Sequence, residues 1–476
     1  MQIPEKGMSK EQVLGALQAF KSRDMDWKAG KVWCYVYNPG EDTAEVVKEA
    51  YLSFLTENGL DPTVFPSMLK LETDVVRMVA TLLRGDENVV GHLTTGGTES
   101  IMLAVKTARD RARVLHPEIT RPEMVLPKTA HAAFHKAAHY LGVTPVVVDI
   151  NPATFKVEAE AMRAAITPNA ILLVASAPSY SQGVIDPIPE IGKIAQEKGL
   201  LFHVDGCVGG IHLSFMRKLG YDLPDFDFTV PGVTSISADL HKYGYAAKGA
   251  SCIMYRSKDI RKYQIFACTD TTAYTLINPT VTSTKSGGPM AGAWAILAYL
   301  GEEGFMRIVK TVQEATRKLI EGIDALPELQ VLGQPAMCMF SFKSDAINVY
   351  QLADAMAKRG WYIQGQFSTP LTPRNLHISV NYGTTHQVDA LLKDLRECVQ
   401  EVKQMEPVNS DGIRAMVAAA LQSPDPEAAF NQLAASAGLT GTDLPEEMAF
   451  INEVMDALPD ELCNQFLVNY FNDLYA

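Results

Sequence analysis

From residue 61 to about residue 270, short apolar runs rich in β-branched residues alternate with stretches whose apolar positions recur every three or four residues. The runs cover 123–127, 145–150, 170–175, 200–205, 235–239 and 251–255. A strand that is apolar at successive positions is buried on both faces. The alternation therefore predicts an α/β fold, a mostly parallel sheet covered by helices on both sides. In such sheets ligands bind beyond the carboxyl ends of the strands. Before residue 61 the pattern predicts an arm: an amphipathic helix over 10–23, an extended piece over 33–37, and a helix over 43–58 stopped by Gly59. After Gly304 it predicts a smaller α+β unit. Its helices are expected over 305–326, 346–359 and 386–402, its strands over 330–332, 337–342 and 376–380, with a segment 361–364 between. Residues 407–476 form a tail of short helices broken at Ser423-Pro424-Asp425-Pro426 and Thr440-Gly441-Thr442. The expected division is an arm 1–60, a large domain 61–304, and a small C-terminal domain with a helical tail, 305–476.

Composition narrows the class. With 476 residues, 47% of them hydrophobic, the chain is long enough for a substantial core. The net charge is −13, and neither Lys nor Arg forms a run or stripe, which excludes nucleic acid or an anionic membrane as the main partner. Seven cysteines without a CxxC pair or a Cys/His spacing of the zinc kind read as free thiols in a reducing compartment, with no metal site. The first residues lack an apolar signal core, and apolar stretches such as 170–175 fall far short of the roughly 20 residues of a membrane span. These features predict an acidic cytoplasmic enzyme without an integral membrane segment.

Two residues carry the strongest chemical signal. Lys242 ends Ser235-Ile236-Ser237-Ala238-Asp239-Leu240-His241-Lys242, and Asp205 ends the strand-like run Leu201-Phe202-His203-Val204-Asp205. Taken singly, one is a surface lysine and the other a helix-capping carboxylate. In this order, each beside a strand at the ligand edge, they are what covalent attachment of pyridoxal phosphate requires. The amine forms a Schiff base and the carboxylate holds the pyridine nitrogen protonated. His241 and Ser237 are candidates for the cofactor phosphate. So are Gly97 and Thr98, because Thr94-Thr95-Gly96-Gly97-Thr98-Glu99-Ser100 precedes a helical stripe at Ile101, Ala104, Val105 and Ala108, with Thr98 read as the cap. An ordinary capped helix is the competing reading. His131, near a helix start, is either structural or a flat partner for the pyridine ring.

The stretch from Gly30 to Gly304 resembles the sphingosine-1-phosphate lyase branch of the group II pyridoxal-phosphate-dependent decarboxylase family. The resemblance rests on Thr95-Gly96-Gly97-Thr98-Glu99-Ser100-Ile101, Ala130-His131-Ala132-Ala133-Phe134, Gly183-Val184-Ile185-Asp186-Pro187, His203-Val204-Asp205-Gly206-Cys207-Val208-Gly209-Gly210, and the segment from Gly232 to Tyr245. The end, Phe471-Asn472-Asp473-Leu474-Tyr475, is similar as well. The resemblance implies a fold-type I PLP-dependent transferase fold with a seven-stranded sheet, and a homodimer whose active sites are shared between subunits. It further implies Lys242 as the Schiff-base lysine, Asp205 as the pyridinium partner, His131 as the stacking residue and Cys207 on the ring's other face. Gly97, Thr98, Ser237 and His241 would hold the phosphate, helped by the Ser283-Thr284 turn of the other subunit. Tyr180 matches a catalytic tyrosine, and Tyr37, Asn58 and Lys248 match positions near the polar end of a small-molecule amine substrate.

This chain departs from the pattern at the substrate end. Asp61 stands where lyases of this branch have a histidine, and a carboxylate facing a phosphate at ~4 Å repels it by up to about 4 kcal/mol at an effective dielectric near 20. Lys285 replaces an arginine and loses its bidentate geometry, Thr271 replaces a tryptophan, and Gln182 a histidine. The expectation is a carbon–carbon lyase acting on a phosphorylated or otherwise polar amino alcohol, with Asp61 favouring a cationic or uncharged group, unless Asp61 points away and Lys248 and Tyr37 bind phosphate. The alternatives are an amino-acid decarboxylase, against which carbon dioxide and aldehyde assays discriminate, and a catalytically silent fold relative.

Overall fold

The computed structural model describes residues 2–272, 274–406, 408–425, 428–429, 432, 435, 445 and 447–476. The expected break at Thr440-Gly441-Thr442 lies outside the described residues, as does Pro426 of the other break. Seven strands build the main sheet: β1 (Val90–Thr94), β2 (Glu123–Pro127), β3 (Thr144–Val148), β4 (Ala170–Ser176), β5 (Leu201–Asp205), β6 (Ser235–Ala238) and β7 (Ser251–Tyr255). Their spatial order is β1-β7-β6-β5-β4-β2-β3. Strand β7 is antiparallel to both of its neighbours and the remaining pairs are parallel, so only β7 opposes the rest. The seven-stranded, mostly parallel α/β fold is as expected.

Six of these strands fall on the predicted runs. The seventh, β1, was not predicted, because Val90-Gly91-His92-Leu93-Thr94 is short and carries a glycine and a histidine. Gly91 is required there. A Cβ would lie 2.5 Å from the Ile253 carbonyl oxygen of β7 and 2.6 Å from the Met254 sulfur.

Because six strands point the same way, their carboxyl ends share one edge of the sheet. The helices Gly97–Leu115 and Ala132–Leu141 start at that edge. The first buries Ile101, Ala104, Val105, Ala108 and Ala112 against the sheet, the predicted stripe.

A smaller sheet has the order β10-β11-β13-β12, built from β10 (Gln330–Val331), β11 (Met339–Lys343), β12 (Gln364–Gln366) and β13 (Asn375–Ser379). A two-stranded ribbon, β8 (Phe266–Cys268) with β9 (Leu276–Asn278), precedes it. The helix expected over 305–326 is the second half of a longer one, Gly287–Asp324, which breaks helical geometry at Gly301 (φ 54°, ψ −172°). The expected domain boundary at 304 therefore falls inside this element, just after its kink.

The arm packs on the smaller sheet. Trp33 is fully buried, its N–H bonds to the Tyr362 carbonyl at 3.0 Å, and its carbonyl accepts from Ser379 N–H at 2.6 Å. The second arm helix, Glu41–Ser53, is shorter than expected and lies against the Gly287–Asp324 helix, where a Cβ on Gly288 would meet the Tyr51 ring at 2.8 Å. All seven cysteines are free. Among the described residues no helix is long and apolar enough to cross a membrane.

Candidate active site

The turns that follow β1, β2, β4, β5 and β6 converge at the carboxyl edge around a cavity of about 380 Å³. Its lining includes Gly97, Thr98, His131, Tyr180, Asp205, Cys207, His241 and Lys242, together with Asp239. Residues up to 147 positions apart in sequence thus meet because each follows a strand that points at the same edge.

Asp205 ends β5 and is buried. Its Oδ1 accepts the Cys207 backbone N–H at 3.0 Å and the Ser237 hydroxyl at 3.2 Å. Burial alone would raise its pKa, but the neighbouring His131 and the Cys207 hydrogen bonds outweigh burial and hold it below the usual carboxylate value. A carboxylate that stays ionised although buried is what a pyridinium needs opposite it.

Lys242 Nζ lies 2.9 Å from Asp239 Oδ2. Burial works to lower the lysine's pKa. Asp239 and, more weakly, Cys207 and Tyr37 reverse the effect, so the amine is held protonated more firmly than an ordinary lysine. Asp239 had not been singled out from the sequence, although its spacing three residues before Lys242 within a turn was a usable signal.

At the other end of the cavity, the first intrahelical bond runs from Ser100 N–H to the Gly96 carbonyl at 3.1 Å, which leaves the earlier N–H groups of that helix turned outward. The helix begins at Gly97 with Gly96 at its cap, so Thr98 is not the cap but an exposed residue of the first turn. A Cβ on Gly97 would meet Asp239 Oδ2 and Cys207 Sγ, each at 2.8 Å. The cradle therefore exists only because residue 97 has no side chain. Glu99, buried, closes the loop by accepting Thr95 N–H and Val281 N–H, each at 2.7 Å.

His131 caps the helix Ala132–Leu141 through Nδ1, which accepts the Ala133 N–H at 3.1 Å, and its ring is exposed to the cavity. His241 Nδ1 accepts the Ala250 N–H at 3.2 Å. Tyr180 donates to Gln364 Oε1 at 2.9 Å and packs 4.5 Å from the His377 ring. Burial pushes its phenol up, so it stays protonated. Tyr37 and Lys248 stand nearby, with the Lys248 ammonium 4.7 Å from the Tyr37 ring and 3.2 Å from the His241 carbonyl. Burial pushes the Tyr37 phenol up to about 12, and burial with the charge of Lys242 lowers Lys248.

Six sequence-predicted residues do not line the cavity: Tyr37 and Lys248, which stand nearby, and four others. Ser237 is fully buried behind Asp205, because β6 pairs with β5 in a register that sets Asp205 opposite Ser237. Asp61 is exposed. Its Oδ1 accepts Thr63 N–H at 2.8 Å and the Thr63 hydroxyl at 2.7 Å, bonds that hold its pKa down, so its carboxylate serves a local turn. Asn58 bridges to Ser286, and Thr284 is exposed in the adjoining loop. The reason these two loops stay together was missed in the sequence. Lys285 is buried and paired with Glu72 at 2.5 and 2.6 Å, while its carbonyl accepts Gly59 N–H at 2.8 Å.

A lysine and a buried carboxylate facing each other across the carboxyl edge of such a sheet, with an anion cradle at one end, define a pyridoxal-phosphate enzyme. The chain belongs to the pyridoxal-dependent decarboxylase family: residues 3–345 match its conserved domain, and residues 413–473 match the pyridoxal-dependent enzyme C-terminal putative HTH domain. The latter stretch carries a single basic residue, Arg414, against ten acidic ones, which is the wrong charge for a nucleic-acid surface.

The sphingosine-1-phosphate lyase of Arabidopsis thaliana is 39% identical over 89% of this chain and 78% of its own length. Sphingosine-1-phosphate lyase 1 of Rattus norvegicus is 39% identical over 87% of this chain and 72% of its own. The solved sphingosine-1-phosphate lyase of Burkholderia pseudomallei superposes with a TM-score of 0.81 at 36% identity, over 89% and 97% of the two chains. A glutamate decarboxylase of Lactobacillus brevis shares the fold, with a TM-score of 0.76 at 17% identity. The protein is thus a pyridoxal-phosphate-dependent lyase of fold-type I.

Proposed function

We propose that the chain cleaves the Cα–Cβ bond of a phosphorylated long-chain amino alcohol of the sphingoid type, releasing an aldehyde and an ethanolamine-type phosphate ester. In this reading it works as a cytoplasmic homodimer. The observation that carries the substrate class is Lys248. It stands exposed beside the catalytic turn, touching a carbonyl and an aromatic face, and partial burial with the charge of Lys242 lowers its pKa although Asp239 pulls the other way. An accessible ammonium there gives an arriving phosphate a charge-assisted hydrogen bond, which a neutral headgroup does not form. The identities to sphingosine-1-phosphate lyases across most of the chain support the same class.

When bound, pyridoxal phosphate supplies an aldehyde for amines and a cationic ring that takes up the electron pair of the broken bond. The protein's own groups do the rest. Lys242 would be the amine that holds the group, and Asp239 beside it keeps that amine protonated when it is free. Asp205, whose carboxylate is held ionised, would face the ring nitrogen, and His131 and Cys207 would be the residues flanking the ring. Gly97, Thr98 and His241 would hold its phosphate at the helix start. Tyr180 and Tyr37 stand where the substrate's 3-hydroxyl must be held, and that hydroxyl loses its proton as the aldehyde leaves. The arrangement at Asp61 favours the reading in which its carboxylate points away and leaves Lys248 and Tyr37 to the phosphate. Asn58 and Thr284 belong to a platform, fixed by Lys285 and Glu72, that serves the active site of a second copy, and the exposed apolar residues Leu55, Leu60, Val64 and Val281 around it suit such a contact.

Side-by-side assays on one preparation test the reading. Aldehyde release from sphinganine 1-phosphate, absent with unphosphorylated sphinganine, is the expected result. Carbon dioxide release from an amino acid with no aldehyde from either lipid would overturn it in favour of a decarboxylase, the activity named for a 33% identical relative, the probable L-aspartate decarboxylase of Pyrococcus furiosus.

A further inference from the structure

Behind Asp205, away from the cavity, lies a column of polar side chains buried in the sheet: Ser237, His203 and Ser235. The Ser237 hydroxyl is 3.2 Å from Asp205 Oδ1, 3.2 Å from His203 Nε2 and 3.2 Å from Cys207 Sγ. His203 Nδ1 is 2.9 Å from the Ser235 hydroxyl. His203 is fully buried, and burial pushes it down to about 4, so it is neutral at physiological pH and carries one ring proton.

The directions of these bonds follow from counting protons. An ionised carboxylate only accepts, so the single Ser237 proton points to Asp205. The Ser237 oxygen must then accept from His203, which places the ring proton on Nε2. Nδ1 is left as an acceptor, and the Ser235 hydroxyl donates to it. Ser235, His203, Ser237 and Asp205 thus form a one-way relay of donors that ends on Oδ1. That oxygen also takes the Cys207 N–H, while Oδ2 takes none of these bonds and belongs to a residue that lines the cavity.

We propose that Ser237 and His203 are positioning residues that hold Asp205 ionised and aim its Oδ2 at the cofactor's ring nitrogen, and that Ser237 is not a phosphate ligand. The assignment rests on the reading of Asp205 as the ring-nitrogen partner. The titratable groups around that carboxylate are His203 on its own strand, Cys207 in the next turn, His131 across the cavity, and the Asp239–Lys242 pair beyond. Removing the Ser237 hydroxyl takes a charge-assisted hydrogen bond from Oδ1, leaves its Cys207 N–H bond in place, and leaves His203 Nε2 and Cys207 Sγ without their acceptor. The carboxylate then binds its proton more readily and the ring nitrogen loses its hold on its own.

Binding of pyridoxal phosphate and of pyridoxal, which lacks the phosphate, separates the two roles. For Ser237→Ala the expected result is a loss of about tenfold in affinity for both compounds, with their ratio unchanged, and a shifted pH profile of the visible cofactor band. His203→Leu follows Ser237→Ala, and His203→Gln, which keeps a donor toward Ser237, stays near wild type. Should His203→Leu not fold, the Ser237→Ala pair of affinities still decides. A Ser237→Ala enzyme that loses affinity for pyridoxal phosphate alone is behaving as a phosphate ligand, and one indistinguishable from wild type has no role at Asp205. Either overturns the proposal. Asp205→Asn is the control: if it too leaves the band and its pH profile unchanged, the reading of Asp205 itself fails.

Discussion

Lys242 and Asp239 form a buried ion pair, with Nζ 2.9 Å from Oδ2 and the carboxylate 1% exposed. Both side chains issue from one turn after β6, so the lysine that must act as a nucleophile is kept as an ammonium until something displaces the pairing. Asp239→Asn removes the charge but keeps the shape. Loss of an opposite charge at this distance lowers a lysine's pKa by about one to three units, so the cofactor-free variant should take up pyridoxal phosphate at least tenfold faster at pH 7. Stopped-flow uptake as a function of pH checks this. An unchanged pH profile shows that Asp239 does not control the amine.

Lys248→Met keeps the length of the side chain and removes its charge. With a phosphorylated substrate the KM should rise tenfold or more while kcat changes little, because the lost contact holds the substrate rather than the breaking bond. With an unphosphorylated analogue the same variant should behave like wild type. A fall in kcat at constant KM would place Lys248 in the chemistry instead.

Glu72 and Lys285 make another buried ion pair, and its role is mechanical. Burial works to raise the Glu72 pKa, but the His92 hydrogen bond and Lys285 outweigh it and push it down to about 2. Glu72→Gln leaves the Lys285 ammonium without its partner, at a cost on the order of 3 kcal/mol, whereas Glu72→Leu combined with Lys285→Met should recover most of that loss. Denaturant unfolding of the three proteins measures both numbers. A double variant as unstable as the single one would mean that the pair contributes through its charge and not only through its packing.

Acid should destabilise the protein through buried histidines. Burial pushes His203 and His377 down to about 4 and His212 to about 3, from an ordinary 6.5. The unfolded chain therefore takes up protons that the native state refuses, and stability present above pH 6.5 is lost as the pH falls toward 4, by up to about 1.4 kcal/mol per pH unit for each histidine. Asp186 acts in the opposite sense. Burial raises it to about 6, so its contribution is complete below an ordinary 3.8 and lost as pH rises through 6. Between pH 6 and 4 it offsets about one of the three histidines, and a net loss of stability remains. Unfolding midpoints of the cofactor-free protein at pH 7, 5.5 and 4.5 should fall in that order, and a flat series contradicts the assignment.

The parts of this picture that were legible in the sequence share a physical cause. Strands β2, β4, β5 and β7 announce themselves because burial on both faces makes them largely apolar runs, the edge strand β3 through its valines, and Lys242, Asp205 and His131 because each sits at or just beyond the end of a strand. What escaped depends on contacts between distant segments. Strand β1 is paired on one edge only and tolerates Gly91 and His92. The partnership of Glu72 with Lys285 joins positions 213 apart. For Ser237, a candidate phosphate ligand, alternation along β6 does not reveal that its register with β5 sets it opposite Asp205. Asp61 was weighed as a pocket residue, although Asp-Pro-Thr is equally the start of a turn that consumes the carboxylate locally.

The central claim is that Lys242, and no other lysine, carries the cofactor. Reducing the purified enzyme with borohydride in the presence of pyridoxal phosphate, digesting it and weighing the peptides tests this directly. The account predicts a phosphopyridoxyl group on the peptide containing Lys242, lost in Lys242→Ala, with Lys248 and Lys285 unmodified. A label on either of those lysines, or none at all, would contradict it.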